Sequence, residues 1–374
     1  MNPPTILLLG ATGNTGRYLA SLLLEHSEAR LVLGSRSASK AAAQAEQLNL
    51  QFPGARVSSV VVDAASPDSL KTALGGVQML AAASSTSAHV NVTARACLEA
   101  GVDYFDVQYS ASKIRALHEL EDEIIRAGCC FITDGGFHPG LPAALIRYAA
   151  EQFDSLHAAN VGSVIKIDWK SLNVDESTVI EMASEFNDFD MRFFQNGAWK
   201  KARMDFVVDM LKMDFGEPFG IQACYPMMLE ELKSLPEQIP TLVDAGFFVG
   251  SFNWFTDMVA MPLMVALVKL FPQQGLRPAG KLMHWSLNTF SSPPYGTRLK
   301  LEAGGLKNGA ESQLELTLSH AEGYYFTAAP AAACLLQWMD GSIRRPGLFT
   351  QGNIVNPTRL LDDLGKMGIT KNIS

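Results

Sequence analysis

Charge is scarce in this chain. Asp, Glu, Lys and Arg make up 18% of its 374 residues, against about 25% in an ordinary soluble protein. The net charge is −8, so bulk electrostatics give no support to a nucleic-acid partner or to an anionic membrane. A chain so poor in charge is expected to hide surface in oligomer contacts or against something greasy. Cysteine is also sparse. Cys97, Cys129, Cys130, Cys224 and Cys334 are odd in number and form no C-x-x-C pair. That argues against a disulfide framework or a zinc site, and for a reducing compartment such as the cytoplasm. No metal site is expected. No basic n-region or cleavage site precedes the strand-like start at Thr5, so no signal peptide is expected. A long uninterrupted apolar run is missing too. The nearest approach, Phe247–Phe271, is broken by Asn253, Asp257, Pro262 and Lys269. Its last part falls short of the ~20 residues of a membrane span.

What is present is alternation. Apolar strand candidates Thr5–Leu9, Arg30–Leu33, Val57–Val62, Gln78–Ala83, Val102–Val107 and Cys129–Thr133 are separated by helical stretches Gly16–Glu25, Ser39–Gln47, Pro67–Leu74, Ala88–Ala100 and Ser112–Ala127. Ser66-Pro67 reads as a cap followed by proline in the first turn. Gly101 and Gly128 stand where a left-handed helix end wants glycine. Strand and helix at this spacing predict a doubly wound parallel sheet. The length suggests two domains or three.

In that setting the stretch Gly10-Ala11-Thr12-Gly13-Asn14-Thr15-Gly16 reads as a dinucleotide cradle. Gly10 turns the chain sharply after the first strand, and Gly13 leaves room for a pyrophosphate. Gly16 lets the helix pack close, with its N-terminal amides facing the phosphates. The spacing is G-x-x-G-x-x-G rather than the commoner G-x-G-x-x-G, and a tight corner without ligand is the bland alternative. A further absence selects the nucleotide. An NAD site usually ends its second strand with a carboxylate for the ribose hydroxyls. Here that position holds Ser35, Arg36 and Ser37, with Lys40 nearby. Hydroxyls and a guanidinium suit a 2′-phosphate, which favours NADP over NAD. Asp63, ending the third strand, is read either as an acceptor for the adenine amine or as a turn former. Ala83, Ser84 and Ser85, with Thr86, end the fourth strand as cofactor neighbours or as a simple helix entry.

Beyond residue 155 the period changes. Thr297–Ala303 and Gln313–Ser319 alternate like a hairpin with one exposed face, and "VIKIDWKSL" and "MRFFQNGAWKKA" read similarly. The tail from Tyr325 turns helical again, with Asn356-Pro357 as another cap-and-proline start.

Three features together carry a family resemblance: "GATGNTG", the strand Tyr104-Phe105-Asp106 after a helix ending Ala100-Gly101, and the loop Gly136-Phe137-His138-Pro139-Gly140-Leu141-Pro142. The chain resembles the saccharopine dehydrogenase family, in its saccharopine reductase-like branch, closely from Thr5 to about Tyr148 and more loosely beyond. The resemblance implies a Rossmann-type domain over 1–150, an α+β substrate and dimerisation domain with a mainly antiparallel sheet over 151–324, and a helical return to the first domain over 325–374. It also implies a homodimer and NADP-linked hydride transfer to or from the C–N bond of a small imine or secondary amine. Some relatives are implicated in lipid enoyl reduction. That keeps a hydrophobic enoyl substrate as a second reading; a non-catalytic NADPH-binding scaffold or sensor is the third.

Catalytic candidates are sought at the carboxyl ends of strands five and six. Asp106 could orient a substrate amine or cap the next helix. Tyr109 could bind substrate or cover the sheet edge. His138 could exchange a proton near neutrality or make a structural hydrogen bond. Gly136 and Phe137 are expected to shape the nicotinamide pocket, and Asp134 is either a turn former or a ligand. Lys166, Lys170, Arg192, Arg203 and Arg298 are the cations able to meet a substrate carboxylate, unless they lie on solvated faces. The stretch Asp175–Val179 is read as approaching the substrate or as a helix cap. The segment 247–271 is read as a buried or dimer-interface helix, with a lipid-binding wall or a peripheral membrane contact as the alternatives.

Overall fold

The computed structural model describes residues 3–171, 190–202 and 210–374. It divides into two compact units, Met1–Ala144 with Tyr324–Ile369, and Leu145–Gly323 with Thr370–Ser374. The expected boundaries at 150 and 324 therefore move to 144 and 323. The tail is a return to the first unit only as far as Ile369.

The first unit is built on a parallel sheet. Its strands are β1 (Thr5–Leu9), β2 (Arg30–Ser35), β3 (Val57–Val61), β4 (Met79–Ala82), β5 (Asp103–Asp106) and β6 (Cys130–Thr133), with β15 (Gly347–Thr350) supplied from the tail. The order is β15-β6-β5-β4-β1-β2-β3, and every neighbouring pair is parallel. Helices α1 (Asn14–His26), α2 (Ala38–Gln51), α3 (Pro67–Ala73), α4 (Val90–Ala100), α5 (Ala111–His118) and α6 (Glu121–Ala127) connect them. Helices on both faces explain why β4, β5 and β6 are buried at every residue, whereas β3 at the edge carries exposed Ser58 and Ser59. The single helix expected over Ser112–Ala127 is two. Leu120 leaves the helical region at ψ 0°, and a new helix starts with Glu121, Asp122 and Glu123 in its first turn. Those charges suit the positive end of a helix, so the break is electrostatically favoured.

Among the described residues the second unit holds a nine-stranded mixed sheet. Its long strands are β7 (Ser155–Lys166), β13 (Gly296–Lys307) and β14 (Ala310–His320), with the shorter β8 (Arg192–Gln195), β9 (Ala198–Lys201), β10 (Leu211–Asp214), β11 (Ile221–Pro226), β12 (Asp244–Gly250) and β16 (Thr370–Ile373). All its pairs are antiparallel except β12 with β7. Two hairpins turn on the same chemistry. Asn196-Gly197 joins β8 to β9 and Asn308-Gly309 joins β13 to β14, all four residues at φ between 52° and 74°. Asn-Gly accepts that left-handed pair of conformations most readily. The hairpin expected over Thr297–Ser319 is thus present and longer. In "VIKIDWKSL" only the first residues extend β7, which ends at Lys166. The tail from Tyr325 is helical as far as Met339, but its final residues Thr370–Ile373 form a strand paired with β14. The segment 247–271 is no single helix: Phe247–Gly250 completes β12, a π-helical turn covers Thr256–Ala260, and a helix follows over Met261–Leu270. Among the described residues no helix is long and apolar enough to cross a membrane.

One buried carboxylate ties the tail to the first sheet. Asp103 accepts from the Cys130 amide at 2.7 Å, from Trp338 Nε1 at 2.9 Å and from Arg344 Nε at 2.7 Å. Asp103→Ala strands two of these donors in the core. It should cost about 2–4 kcal/mol, read as a lower urea midpoint for the full-length protein; an unchanged midpoint would show that the tail is held by packing alone.

Candidate active site

All seven parallel strands end on one edge of the first sheet, and the order reverses at β1, between β2 and β4. The crevice at such a reversal is where sheets of this class take a ligand. Gly10 lies there at φ 77°, and a Cβ on it would overlap the Ser84 side chain and the Ala83 carbonyl. A Cβ on Gly16 would overlap the Gly10 carbonyl oxygen, so the close fit of α1 onto the turn requires glycine. Gly13 has only that carbonyl nearby, at 3.2 Å. Around it Thr12 and Asn14 are exposed and Thr15 is half-buried; Ala11 is buried, its carbonyl accepting from Gln44 Nε2 at 2.8 Å.

The helix that follows has an uncapped start, as α4 and α6 also do. Ser37, Ser66 and Ser110 cap α2, α3 and α5 with their side chains. No side chain caps α1, and its first turn holds no acid. Its leading amides therefore suit an anion. At the end of β2, Ser35 Oγ accepts from the Ser37 amide, and Arg36 stands exposed between them with no carboxylate alongside. Asp63 is exposed and accepts from the Ala65 amide at 3.0 Å, which is the turn-forming role. Ala83 is buried, Ser84 half-buried and Ser85 exposed. Gln108 Nε2 donates to the Ser84 carbonyl and to Thr86 Oγ1, fastening this loop to the one after β5.

Beneath those loops lies a buried ion cluster that sequence reading missed. Lys113 Nζ reaches Asp106 Oδ1 at 2.6 Å and Asp134 Oδ1 at 2.7 Å, and also donates to the Gln108 carbonyl. Burial works against the ammonium charge, but the two carboxylates outweigh it and hold the Lys113 pKa above its ordinary value. Asp106 has no exposure. Its Oδ1 also accepts from the Gln108 amide and its Oδ2 accepts from Thr133 Oγ1. The role expected of Asp106 as an orienter of substrate is corrected: both oxygens are committed inward, so it positions loops. Asp134 is likewise a buried ion-pair partner, at a left-handed φ of 55°.

The loop 134–142 is held from its other side by Gln351. Gly136 donates its amide to Gln351 Oε1 at 3.1 Å and accepts from Gln351 Nε2 at 3.0 Å. A Cβ on Gly140 would overlap the Gly136 carbonyl, so the loop folds tightly on itself. Phe137 is buried and stacked on Phe326 with ring centroids 5.0 Å apart. His138 packs edge-on to Phe137, with its ring nitrogens shielded from water. Burial pushes the His138 pKa down to about 4, so at neutral pH it is uncharged. Tyr109 is half-buried beside Gln108 and Ser110 in the loop after β5.

Neither missed residue was hidden for the same reason. Lys113 shares the buried face of α5 with Ile114 and Leu117, a lysine on an apolar stripe. Gln351 lies 215 residues from Gly136, with no local signal. In the second unit the candidate cations are not brought together. Lys166 donates to the Ser251 and Phe252 carbonyls, Arg192 pairs with Asp190, Arg298 donates to the Phe215 and Glu217 carbonyls, and Lys170 is exposed. Arg203 and Asp175–Val179 lie outside the described residues. Among the described residues no group of three or more His, Cys, Asp or Glu is placed to hold a metal ion.

A glycine turn at the reversal of a parallel sheet, with helix N-terminal amides behind it, fits a dinucleotide-binding domain. Comparison with known proteins agrees. Residues 6–129 match the saccharopine dehydrogenase NADP binding domain. The carboxyaminopropylagmatine dehydrogenase of Synechocystis is 25% identical over 314 residues, spanning 73% of this chain and 74% of that protein. The fold matches apo saccharopine dehydrogenase (L-Glu forming) of Saccharomyces cerevisiae with a TM-score of 0.69 at 14% identity, covering 99% of this chain and 100% of that one. An engineered D-amino acid dehydrogenase bound to NADP+ matches at a TM-score of 0.50 and 13% identity, over 98% and 99% of the two chains. The chain is an oxidoreductase similar to saccharopine dehydrogenases, and its cofactor is NADP.

The cradle's residues fit that group, and two consequences are measurable. Arg36→Ala should weaken NADPH binding about 10–100-fold while leaving NADH within about twofold, by titration of intrinsic fluorescence; equal losses would remove Arg36 from the 2′-phosphate. For His138 the unfolded imidazole, with an ordinary value of 6.5, binds its proton before the folded one does. The stability it confers is present above pH 6.5 and should be lost, by about 1–3 kcal/mol, as pH falls towards 4. His138→Gln should flatten that part of the urea-midpoint profile, and a profile identical to wild type would refute the assignment.

Proposed function

We propose that the protein transfers a hydride between NADP and the C–N bond of a small imine or secondary amine. The observation that carries this reading is the loop 134–142, fixed from below by the buried Lys113 cluster and from the side by Gln351, on the same sheet edge as the glycine turn. Hydride transfer depends on holding the reacting faces in one geometry, and a rigid loop supplies that. Support for the substrate class comes from the Synechocystis relative, whose named substrate is an agmatine derivative and therefore an amine.

NADPH, when bound, supplies a hydride to the imine carbon, leaving NADP+. In this reading the uncapped amides of α1 bind the pyrophosphate and Arg36 binds the 2′-phosphate. Ser84 and Ser85 flank the cofactor, and Gly136 and Phe137 shape the nicotinamide pocket. The imine nitrogen takes one proton as the carbon takes the hydride. Tyr109, half-buried in the loop after β5, is the group assigned to deliver it, since His138, with its pKa pushed down by burial, is not in its acid form at neutral pH. His138 acts as a hydrogen-bond acceptor that orients the substrate. The five cysteines are buried free thiols, and burial pushes Cys130 up to about 11 and Cys224 up to about 12. They are inert packing groups, which suits a cytoplasmic setting.

The test is NADPH oxidation by the purified protein with paired amines and 2-oxo acids. Oxidation that needs both partners is expected. Tyr109→Phe should then lower kcat by about 10²-fold with the NADPH dissociation constant unchanged. Turnover of apolar enoyl substrates alone would move the assignment to a C–C bond. Tight NADPH binding with no turnover of either class would make the protein a sensor.

A further inference from the structure

The glycine turn and Arg36 lie at the ends of neighbouring strands, and the sheet stops holding them together just before each begins. β1 and β2 pair in register as far as Leu9 with Gly34, and the Gly10 amide donates to the Gly34 carbonyl at 3.3 Å. Beyond that point the two stretches part. Gly10 turns away at φ 77° into the segment 11–16, while Ser35 and Arg36 lead into α2. Among the described residues one hydrogen bond joins the two stretches again: Gln44 Nε2 donates to the Ala11 carbonyl at 2.8 Å, across 33 residues of chain. A carbonyl only accepts, so the Gln44 amide must present its nitrogen there.

Both ends of this bond are fixed by their surroundings. The Ala11 side chain has no exposure. Gln44 is half-buried and stands among Ala41, Ala45 and Leu48, the residues that α2 buries. It follows Ser37, the cap of α2, by about two turns. Ser37 in turn donates its amide to Ser35 Oγ, so Arg36 is held between a strand end and a capped helix. Moving Gln44 therefore moves Arg36 relative to the turn. That separation matters for a ligand with two anions on one adenosine, a 2′-phosphate and a pyrophosphate. Each strengthens the hold on the other only when the two sites are spaced to match. A dinucleotide without the 2′-phosphate uses the turn alone and is indifferent to the spacing. We propose that Gln44 is a positioning residue that sets the distance between the pyrophosphate turn and Arg36, and with it the preference for NADP over NAD. The proposal rests on Arg36 binding the 2′-phosphate and adds a second residue that makes this contact selective.

Full-length wild type, Gln44→Met, Arg36→Ala and the double variant are titrated with NADPH and NADH by intrinsic fluorescence, and with 2′,5′-ADP and 5′-AMP by calorimetry. Methionine keeps the length and the apolar stem and removes the donor. Gln44→Met should weaken NADPH and 2′,5′-ADP about 5–10-fold and leave NADH and 5′-AMP within about twofold. Gln44→Leu, equally without a donor, should shift the NADPH-to-NADH ratio in the same direction. In the Arg36→Ala background, Gln44→Met should change NADPH affinity by less than about twofold, because the spacing then serves nothing. Equal losses of NADPH and NADH, or a lowered urea midpoint with the ratio unchanged, make Gln44 a structural residue and overturn the proposal. So does an undiminished effect in the Arg36→Ala background. An Arg36→Ala variant that still prefers NADPH as wild type does refutes the underlying reading and the proposal with it. A selective loss in Arg36→Ala beside an indifferent Gln44→Met refutes the proposal alone.

Discussion

The ammonium of Lys113 is the point on which the first unit's active edge depends. It sits out of water between Asp106 and Asp134, which follow different strands. A charge taken from water costs several kcal/mol, and it is tolerated only when its partners are close and its remaining donors are used. Lys113 meets that condition with two carboxylates and the Gln108 carbonyl. Removing it would leave two carboxylates buried near each other without a counter-charge. The cluster therefore fixes the loops after β5 and β6 relative to each other, and Gln108 passes that constraint on to Ser84 and so to the Gly10 turn. From Gly10 to Gly136 the rim of the sheet is one connected set of short contacts. Rigidity there arises from electrostatics below the surface rather than from the loops themselves.

Legibility in the sequence follows the range of the interactions. β1 was readable to the residue, because a buried parallel strand writes itself as an unbroken apolar run and Gly10 punctuates it. The caps Ser66 and Asn356 were readable because a side chain bonding an amide three residues away is a local event. The lack of a carboxylate at the end of β2 was readable too, and Arg36 stands exposed there. The break at Glu119–Leu120 was not, since Leu117, Leu120 and Ile124 are all buried and continue an apolar pattern across it. Asp106 was placed correctly at the end of β5 but given the wrong direction: a carboxylate at a strand end faces the crevice or the interior according to a lysine seven residues on. Gln351 was out of reach altogether, since two hydrogen bonds to Gly136 span most of the chain. Lys166, Arg192 and Arg298 show the complementary error. Composition offered them as a carboxylate site, and each is bound instead to carbonyls or a carboxylate close to it.

The scarcity of charge was read at first as a property of the whole chain. It is better understood as two local distributions. In the first unit a few charges are buried and paired, at Lys113 with its aspartates and at Asp103 with Arg344. In the second, acids vanish from a long stretch that is also the most exposed apolar surface. A net charge of −8 therefore says little about either place, because screening confines an exposed charge to its own neighbourhood of about 10 Å.

The uncapped start of α1 shows how a binding site is set against stability. A serine or aspartate at position 13 would satisfy one orphan amide and add roughly a few tenths of a kcal/mol to the helix. The fold uses that device at Ser37, Ser66 and Ser110, and omits it at the starts of α1, α4 and α6. A side chain at position 13 would put its own oxygen where a phosphate oxygen can sit and fill the approach that only the Gly10 carbonyl now borders. The amides of α1 are thus left to an external anion, and a cofactor that supplies one acts as the missing cap. Binding and folding of this domain are linked through the same few N–H groups. That linkage gives the glycine at position 13 a purpose that packing alone does not, since a Cβ there would meet no severe clash.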